Sequence, residues 1–87
     1  MPHDSPFAKR LREAREKAGL SQRQLGILSG FPKDSASTRV NQYERGKYEP
    51  RFHDLKKMAR VLETPTAFFY AEEDEVASMV LEFREKQ

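Results

Sequence analysis

Polar side chains that can donate or accept hydrogen bonds are concentrated in one short stretch of the chain, between Ser37 and Arg45. If this stretch is helical, only Val40 and Tyr43 are spaced to face a core. The remaining hydroxyl, amide and guanidinium groups belong to Ser37, Thr38, Arg39, Asn41 and Gln42. Such groups can hydrogen-bond the edges of bases in the DNA major groove. The pattern therefore favours base recognition.

A helix in front of this stretch is indicated by its capping residues. Ser21 is a favourable N-cap residue, and Gln24 three positions later completes a capping box. Leu25 and Leu28 give this helix one apolar stripe. We therefore expect a short helix over about Gln22 to Ser29.

The polar stretch itself is predicted to form the second helix of a pair. Gly30 can end the first helix, and the linker over residues 31–36 offers Asp34 or Ser35 as the N-cap of the second. Gly46 closes the second helix. Two short helices joined in this way form a helix-turn-helix pattern, in which the second helix can enter a groove of DNA. DNA binding is thus the leading hypothesis.

Two further helices are predicted on either side of this pair. The first begins with Ser5 as N-cap and Pro6 at the first helical position, and Gly19 ends it. Its apolar face comprises Phe7, Leu11, Ala14 and Ala18. The apolar side of the fourth helix comprises Phe52, Leu55, Met58, Ala59 and Leu62.

The last part of the chain is predicted to add two more helices. Thr64 followed by Pro65 is a typical helix start and opens a short helix through Tyr70. Asp74 caps a final helix that runs to about Lys86. The apolar stripe of that helix comprises Val76, Met79, Val80 and Phe83. The expected fold is all-α, with a five-helix DNA-binding domain over residues 1–71 and an acidic amphipathic helix over residues 72–87.

Charge is distributed unevenly along the 87 residues, although the net charge is only +2. Residues 1–60 hold 14 Lys and Arg against 7 Asp and Glu, whereas residues 61–87 hold 2 against 7. A basic body suits a polyanion, and an acidic end would be repelled from phosphates. The chain has no cysteine, so it can form neither a disulfide nor a thiolate zinc site.

The sequence contains no arrangement typical of an enzyme. There is no Gly-rich phosphate loop, no nucleophile beside a general base and no spaced set of metal ligands. We therefore expect no catalysis, no metal and no cofactor. Because no apolar run approaches the length of a membrane span, we expect a cytoplasmic, nucleoid-associated protein with no membrane partner.

Several spaced residues resemble the Cro and phage-repressor helix-turn-helix family, also called the xenobiotic-response-element family. The resemblance covers residues 7 to about 70. It is carried by Leu11 to Arg15, Gly19-Leu20-Ser21-Gln22, Leu25, Gly30, Val40, Glu44-Arg45-Gly46, Pro50 and the run of Leu55, Met58, Ala59 and Leu62. The resemblance implies five packed helices, of which the second crosses the DNA backbone and the third enters the major groove, usually from a dimer.

The resemblance also implies roles for individual residues. Counting back from Glu44, the base-reading positions are Ser37, Thr38 and Gln42, with Arg39 and Asn41 beside them. Phosphate contacts are expected from Gln22, Arg23, Lys33, Ser35, Arg45 and Lys47, with Arg10 as a further candidate. Arg15 and Glu44 should form an ion pair that ties the first helix to the end of the third, and such a pair fixes geometry more than it adds stability.

The chain departs from this family at two places. Gly30 and Glu44 are fourteen positions apart, about four more than in the family, so the turn carries an insertion. If the insertion instead lengthened the third helix at its start, residues 34–36 would also approach the groove. Gly26 stands where the family often has alanine, and either residue should be small enough for a close crossing of the second and third helices.

The aromatic and apolar residues near the C-terminus exceed what five helices are expected to bury. The excess would leave an exposed patch unless a second subunit covers it, so we expect a two-fold dimer through the acidic end. Its candidate residues are Phe69, Tyr70, Val76, Met79, Val80 and Phe83. Such a dimer would place two recognition helices about 34–36 Å apart, one turn of DNA. The alternative is that the last helix folds back on its own domain.

These observations predict a small bacterial or phage transcription regulator, acting as a repressor or autoregulator, that binds a palindromic double-stranded DNA operator as a homodimer. Two other roles of the same fold stay open: the antitoxin of a toxin–antitoxin pair, with a toxin as protein partner, and a restriction–modification controller. The alternative from another class is a protein-interaction module that keeps the scaffold without specific DNA binding.

Overall fold

The structure, a computed structural model, describes residues 5–85, and over this range it contains five α-helices and one 3₁₀ helix. They are α1 (Phe7–Lys17), α2 (Gln22–Leu28), α3 (Ala36–Glu44), α4 (Phe52–Val61), the 3₁₀ helix (Thr66–Tyr70) and α5 (Asp74–Glu85). No strand occurs in this part of the chain, and the all-α prediction is confirmed. The expected end of the last helix near Lys86 lies outside the described residues.

The two ends of α2 are closed by the residues that the sequence indicates. The Ser21 hydroxyl accepts from the Gln24 N–H at 3.0 Å, and the Gln24 side-chain oxygen accepts from the Ser21 N–H at 2.8 Å. At the other end Gly30 has a φ of +90°, which favours glycine. The Phe31 N–H then donates to the Gly26 carbonyl at 3.0 Å. The capping box and the glycine stop together define a helix of only seven residues.

One hydrophobic core joins these helices and supports α3. Its most deeply buried large side chains are Phe7, Leu11, Leu25, Val40, Leu55, Met58 and Phe69. The ring of Phe7 lies edge-on to that of Tyr43, with centroids 6.4 Å apart, and 5.9 Å from that of Phe69. Because Tyr43 belongs to α3, α1 packs directly against the inner side of that helix and helps to set which side faces outward.

Three side chains that the apolar spacing assigns to the core are exposed. Ala18 is the first residue after α1. Leu28 ends α2 and is 60% exposed, and Phe52 begins α4 and is 56% exposed. The Lys56 ammonium lies 5.7 Å from the centre of the Phe52 ring. All three residues lie at helix ends, where there is no further turn of the same helix to hold the side chain against the core.

The helix start predicted at Thr64 and Pro65 is wrong in two respects. The Thr64 hydroxyl donates to the Leu62 carbonyl at 3.0 Å, so it satisfies the end of α4 and does not cap the next helix. Pro65 has an extended backbone (φ −62°, ψ 144°) and precedes the helix. The helix that follows has the tighter 3₁₀ geometry, which is common in short connecting segments.

Arg10 attaches the C-terminal part of the chain to α1. It is 2% exposed, and its guanidinium donates to the carbonyls of Ala71 at 2.9 Å and Glu72 at 3.4 Å. It also pairs with the Asp74 carboxylate at 3.0 Å. Hydrogen bonds from Arg10 and then from Lys9 hold the pKa of Asp74 below its ordinary value. The expectation that Arg10 contacts phosphate is therefore wrong, because the side chain is buried and fully engaged.

The last helix, α5, packs back on its own domain, but with a different face from the one predicted. Ala77 is buried, and Val80 and Leu81 pack partly against the core. The opposite side carries the outer stripe of α5, which comprises Val76 (43% exposed), Met79 (63%) and Phe83 (68%). The small Ala77 side chain permits the close approach to the domain, and Val76, Met79 and Phe83 remain outside.

The aromatic run before α5 is divided between core and surface. Phe68 and Phe69 are 5% and 0% exposed, and their rings pack edge-on at 5.5 Å. Phe69 is therefore a core residue, and its assignment as a dimer candidate is wrong. Val80 is half-buried against its own domain, so it too is a poor dimer candidate. Tyr70 is 49% exposed and stays available with the outer stripe of α5.

Candidate nucleic-acid interface

Helices α2 and α3, which form the helix-turn-helix pair, cross each other closely at Gly26. Gly26 of α2 is buried, and a Cβ placed on it would lie 2.7 Å from the Ala36 Cβ and 2.8 Å from the Ala36 carbonyl oxygen. These distances are shorter than van der Waals contact. The expectation that alanine would serve equally well at this position is therefore wrong for this chain.

The inserted residues form a turn and do not lengthen α3 into the solvent. α3 begins at Ala36, which is 0% exposed beneath α2. Phe31 at the start of the turn is 6% exposed, and its ring packs edge-on to Tyr43 at 6.4 Å. The alternative in which residues 34–36 approach the groove is therefore wrong for Ala36, although Asp34 and Ser35 remain at the surface.

The outer face of α3 carries four of the five residues that the sequence assigns to base reading. Ser37 and Thr38 are exposed, and Asn41 and Gln42 are half-buried. These four share the side of α3 away from its three buried residues, which are Ala36, Val40 and Tyr43. One short helix thus presents two hydroxyls and two amides together, with its inner side fixed in the core.

The side chain of Arg39, the fifth of these residues, is held towards Phe31 and α4 by two contacts. Its guanidinium carbon lies 4.7 Å from the centre of the Phe31 ring, a cation–π arrangement. One of its nitrogens lies 3.8 Å from the Asp54 carboxylate of α4. The guanidinium is therefore held at the edge of α3 next to α4, beside the outer face and not in its middle.

A polar network connects α1, α2 and α3 behind this face. Arg15 binds Glu44 through two hydrogen bonds, from Nε to Oε2 at 2.6 Å and from Nη2 to Oε1 at 3.1 Å, and its Nη1 donates to the Leu20 carbonyl at 2.9 Å. The Arg15 side chain is 13% exposed and that of Glu44 4%. The hydrogen bond to Glu44 raises the pKa of Arg15 above its ordinary value, so the guanidinium stays charged.

Gln22, at the start of α2, extends this network to the outer face. Its side-chain nitrogen donates to Glu44 Oε1 at 3.1 Å and to Asn41 Oδ1 at 3.3 Å. In this arrangement both amide hydrogens are used inside the protein. The side chain expected to hold a phosphate through its amide therefore has no N–H left for that contact.

The remaining candidates for phosphate contact lie on α2, in the turn before α3 and just after α3. Arg23, Lys33, Arg45 and Lys47 are exposed. Ser35 is half-buried, with its hydroxyl 3.5 Å from the Pro32 carbonyl. Flexible cations that flank a recognition helix are suited to phosphates, because such contacts need charge more than fixed geometry.

One basic residue of this surface was missed from the sequence. Arg51 is exposed just before α4, and with Arg39, Gln42 and Tyr48 it lines an open groove of about 470 Å³ next to α3. Tyr48 is 52% exposed. The positions of Tyr48 and Arg51 in the sequence could have indicated this, because both residues follow Gly46 in the same loop as Lys47.

Within the part of the chain that the structure describes, no group of three His, Cys, Asp or Glu side chains is placed to hold a metal ion. None of the helices in residues 5–85 has the length and apolar character needed to cross a membrane.

Comparisons with known proteins agree with this geometry. Residues 6–67 match the helix-turn-helix domain family. The chain is similar to the crystal structure of the transcriptional regulator BswR, with a TM-score of 0.86 and 44% sequence identity. That similarity covers 90% of this chain and 77% of the other. No curated protein matched the chain.

Proposed function

Because the chain belongs to the helix-turn-helix domain family, we propose that it is a transcription regulator that binds double-stranded DNA with sequence specificity. The observation that carries the proposal is the outer face of α3, where Ser37, Thr38, Asn41 and Gln42 lie together on a helix whose other side is buried. In this proposal α3 enters the major groove and these side chains hydrogen-bond base edges. The similarity to a transcriptional regulator supports the same assignment.

Phosphate contacts would supply most of the affinity in this proposal. Arg23 lies on α2, Lys33 in the inserted turn, and Arg45, Lys47 and Arg51 follow α3. These cations lie on both sides of the base-reading residues along the chain. Their role would be to set the orientation of α3 on the duplex, while the outer face of α3 selects the sequence.

The finer features of the proposal are a palindromic operator, a repressing or autoregulatory effect and a bacterial or phage origin within the Cro and phage-repressor group. A palindrome follows if two copies bind together, because two-fold symmetry of the protein is matched by two half-sites in the DNA. Genes next to that of the protein would distinguish the antitoxin and controller roles from a stand-alone regulator.

Selection of bound fragments from a random double-stranded DNA pool tests the base-reading assignment. The wild type should enrich one sequence pattern. Thr38→Ala and Gln42→Ala should each reduce discrimination at one base pair by about tenfold, since a good side-chain contact to a base is worth about 1–3 kcal/mol. Ser78→Ala, an exposed substitution on α5, is the matched control and should leave the pattern unchanged.

Affinity for the selected sequence, measured at several salt concentrations, tests the phosphate contacts. A dimer that contacts about 6–10 phosphates should lose roughly 10³–10⁵ in affinity between 50 and 200 mM salt.

In the selection experiment, a folded wild type that enriches no sequence would instead favour the protein-interaction module. The observation that favours that module is an open groove of about 790 Å³ between α1, α4 and α5, into which Leu28 of α2 also faces.

The outer stripe of α5 supports homodimer formation. Val76, Met79 and Phe83 form one apolar face that the described part of the domain leaves uncovered, and Tyr70 is exposed just before α5. Pairing of this face with the same face of a second copy would remove apolar surface from water. It would also keep the acidic helix away from the phosphates bound at the basic α2–α3 side.

Sedimentation of the wild type and of Phe83→Glu tests this arrangement. The wild type should be a dimer at the concentrations used for DNA binding, and Phe83→Glu should be a monomer, because two charges would face each other in the paired stripe. Since Phe83 is 68% exposed, the fold should be preserved. Ser78→Glu, which adds the same charge to an exposed position of α5 outside the stripe, should remain dimeric. A monomeric wild type, or a dimeric Phe83→Glu, would contradict the proposed interface.

A further inference from the structure

The buried carboxylate of Glu44 determines how the side-chain amide of Gln22 is oriented. An ionised carboxylate can only accept hydrogen bonds. Glu44 Oε2 accepts from Arg15, and Glu44 Oε1 accepts from Arg15 and from Gln22 at 3.1 Å in each case. If the Gln22 amide were turned over, its oxygen would face the carboxylate oxygen, and two acceptors would be in contact at a nearly buried site. Gln22 must therefore present its NH₂ group inward.

The orientation of Gln22 in turn determines that of Asn41. The Gln22 NH₂ group has two hydrogens, of which one is directed to Glu44 and the other to Asn41 at 3.3 Å. Because the Gln22 group facing Asn41 is a donor, Asn41 must offer its oxygen, Oδ1. The rotation that directs Oδ1 to Gln22 turns the Asn41 Nδ2 group away from it.

We infer that Gln22 is a specificity-determining positioning residue that holds Asn41 with its amide nitrogen available to a base, so that Asn41 reads hydrogen-bond acceptors in the DNA. The inference rests on the proposed function, because it assumes that α3 enters the major groove. A free asparagine amide can bond adenine through both its nitrogen and its oxygen. With Oδ1 already accepting from Gln22, Asn41 cannot bond adenine N6 and N7 together, and its outward Nδ2 group is best matched by guanine, which presents two adjacent acceptors, O6 and N7.

This inference gives Gln22 a role different from that of a phosphate contact, and the two roles predict different effects of Gln22→Met. The methionine side chain keeps a similar length but removes both donors, so Asn41 becomes free to rotate. Because Asn41 can then bond adenine N6 and N7 together, we expect the preference for guanine over adenine at the base pair read by residue 41 to fall by about tenfold, with the salt dependence unchanged. A phosphate role would instead weaken binding to all sequences alike and reduce the salt slope. That second outcome would overturn the inference.

Two companion variants sharpen the test. Asn41→Asp keeps an acceptor towards Gln22 but replaces the outward donor by an acceptor. The preferred base should therefore change to one that carries a donor, cytosine N4 or adenine N6. Lys47→Met is the control for an exposed cation, and it should weaken all sequences alike and reduce the salt slope. An Asn41→Asp variant that keeps the wild-type base preference would contradict the assigned orientation.

A measurement on the DNA-free protein separates failure of the inference from failure of the proposed function. In NMR spectra the side-chain amide protons of Gln22 should exchange with solvent more slowly than those of the exposed Gln24, and Asn41→Ala should speed the exchange of Gln22. Equal exchange for Gln22 and Gln24 would overturn the inference, whether or not DNA is bound. Slow exchange of Gln22 in a protein that selects no DNA sequence would uphold the hydrogen bonds but reject base reading, and with it the inferred specificity role.

Discussion

Replacement of Arg15 by methionine is expected to lower the free energy of unfolding by about 3 kcal/mol, at the lower end of the range for breaking a buried ion pair. The substitution leaves the Glu44 carboxylate, whose side chain is 4% exposed, without its cation. Gln22 still donates one hydrogen bond to it, which is why the lower end of the range applies. Denaturant-induced unfolding near neutral pH measures the change.

The pH of that measurement has little effect on how much the charge of Arg15 contributes to the stability of the wild type. The pKa of Arg15 is raised above its ordinary value, chiefly by the hydrogen bond to Glu44. A raised pKa in a basic group means that its stabilising contribution is complete below the pKa of the unfolded chain, and that it is lost only as the pH rises through the folded value. The pKa of Arg15 lies far above neutral pH in both the unfolded and the folded chain, so the guanidinium is charged during the whole measurement.

Two variants show whether burial of the carboxylate is the cause. Arg12→Met removes a cation from the exposed pair with Glu16, in which the side chains are 66% and 60% exposed, and it should change stability by less than about 1 kcal/mol. Arg15→Met combined with Glu44→Met should recover part of the loss, because no unpaired charge is then buried. If Arg15→Met alone cost no more than Arg12→Met, the pair would contribute no more than an ordinary surface pair.

Substitution of Gly26 by alanine is expected to destabilise the domain by about 1–3 kcal/mol. Helix propensity alone predicts the opposite sign, because alanine is favoured over glycine by about 0.5–1 kcal/mol inside a helix. The added Cβ would lie 2.7 Å from the Ala36 Cβ and 2.8 Å from its carbonyl oxygen, and backbone atoms cannot move aside as the end of a flexible side chain can. α2 and α3 would have to separate.

Thermal unfolding measures this effect, with a decrease in the midpoint of roughly 4–8 °C for each kcal/mol in a domain of this size. Arg23→Ala, at an exposed position of the same helix, is the control and should change stability by about 0.5 kcal/mol or less. Gly26→Ala combined with Ala36→Gly removes the close contact with the Ala36 Cβ and should restore part of the loss. A more stable Gly26→Ala variant would mean that the two helices can separate at little cost.

Features that depend on neighbouring residues in the chain could be predicted from the sequence. The capping box of Ser21 and Gln24 and the glycine stop at Gly30 use groups only a few positions apart. The apolar spacing also identified Val40 and Tyr43 as the buried side of α3. These local signals were sufficient for the helix-turn-helix arrangement, because α2 has its own start and stop and α3 has its own apolar side.

Features that depend on contacts between residues far apart in the sequence could not be predicted from local patterns. The ring of Phe31 and the carboxylate of Asp54 hold Arg39 beside the outer face of α3. Arg10, charged and therefore expected at the surface, is buried because backbone carbonyls 61 and 62 positions away accept its hydrogen bonds. No spacing rule contains this information.

The face of α5 illustrates a further limit of periodicity. The spacing of the large apolar residues predicted one buried face of that helix, yet the smaller Ala77, on another face, lies against the domain. A spacing pattern ranks faces by hydrophobicity, whereas packing also requires a shape that fits. The same reason explains Gly26, where the sequence indicated a small residue but only the distance to Ala36 excludes alanine.

The buried ring of Phe31 bears on how such a domain can diverge. Phe31 and Ala36, at 6% and 0% exposure, hold both ends of the inserted turn, and the residues at 32–34 between them are exposed. Lengthening a flexible loop is inexpensive, since each doubling adds only about 0.6 kcal/mol of closure entropy. Insertions between these two anchors should therefore be tolerated with α3 unmoved, so the length of the turn can vary among descendants independently of the base-reading outer face of α3.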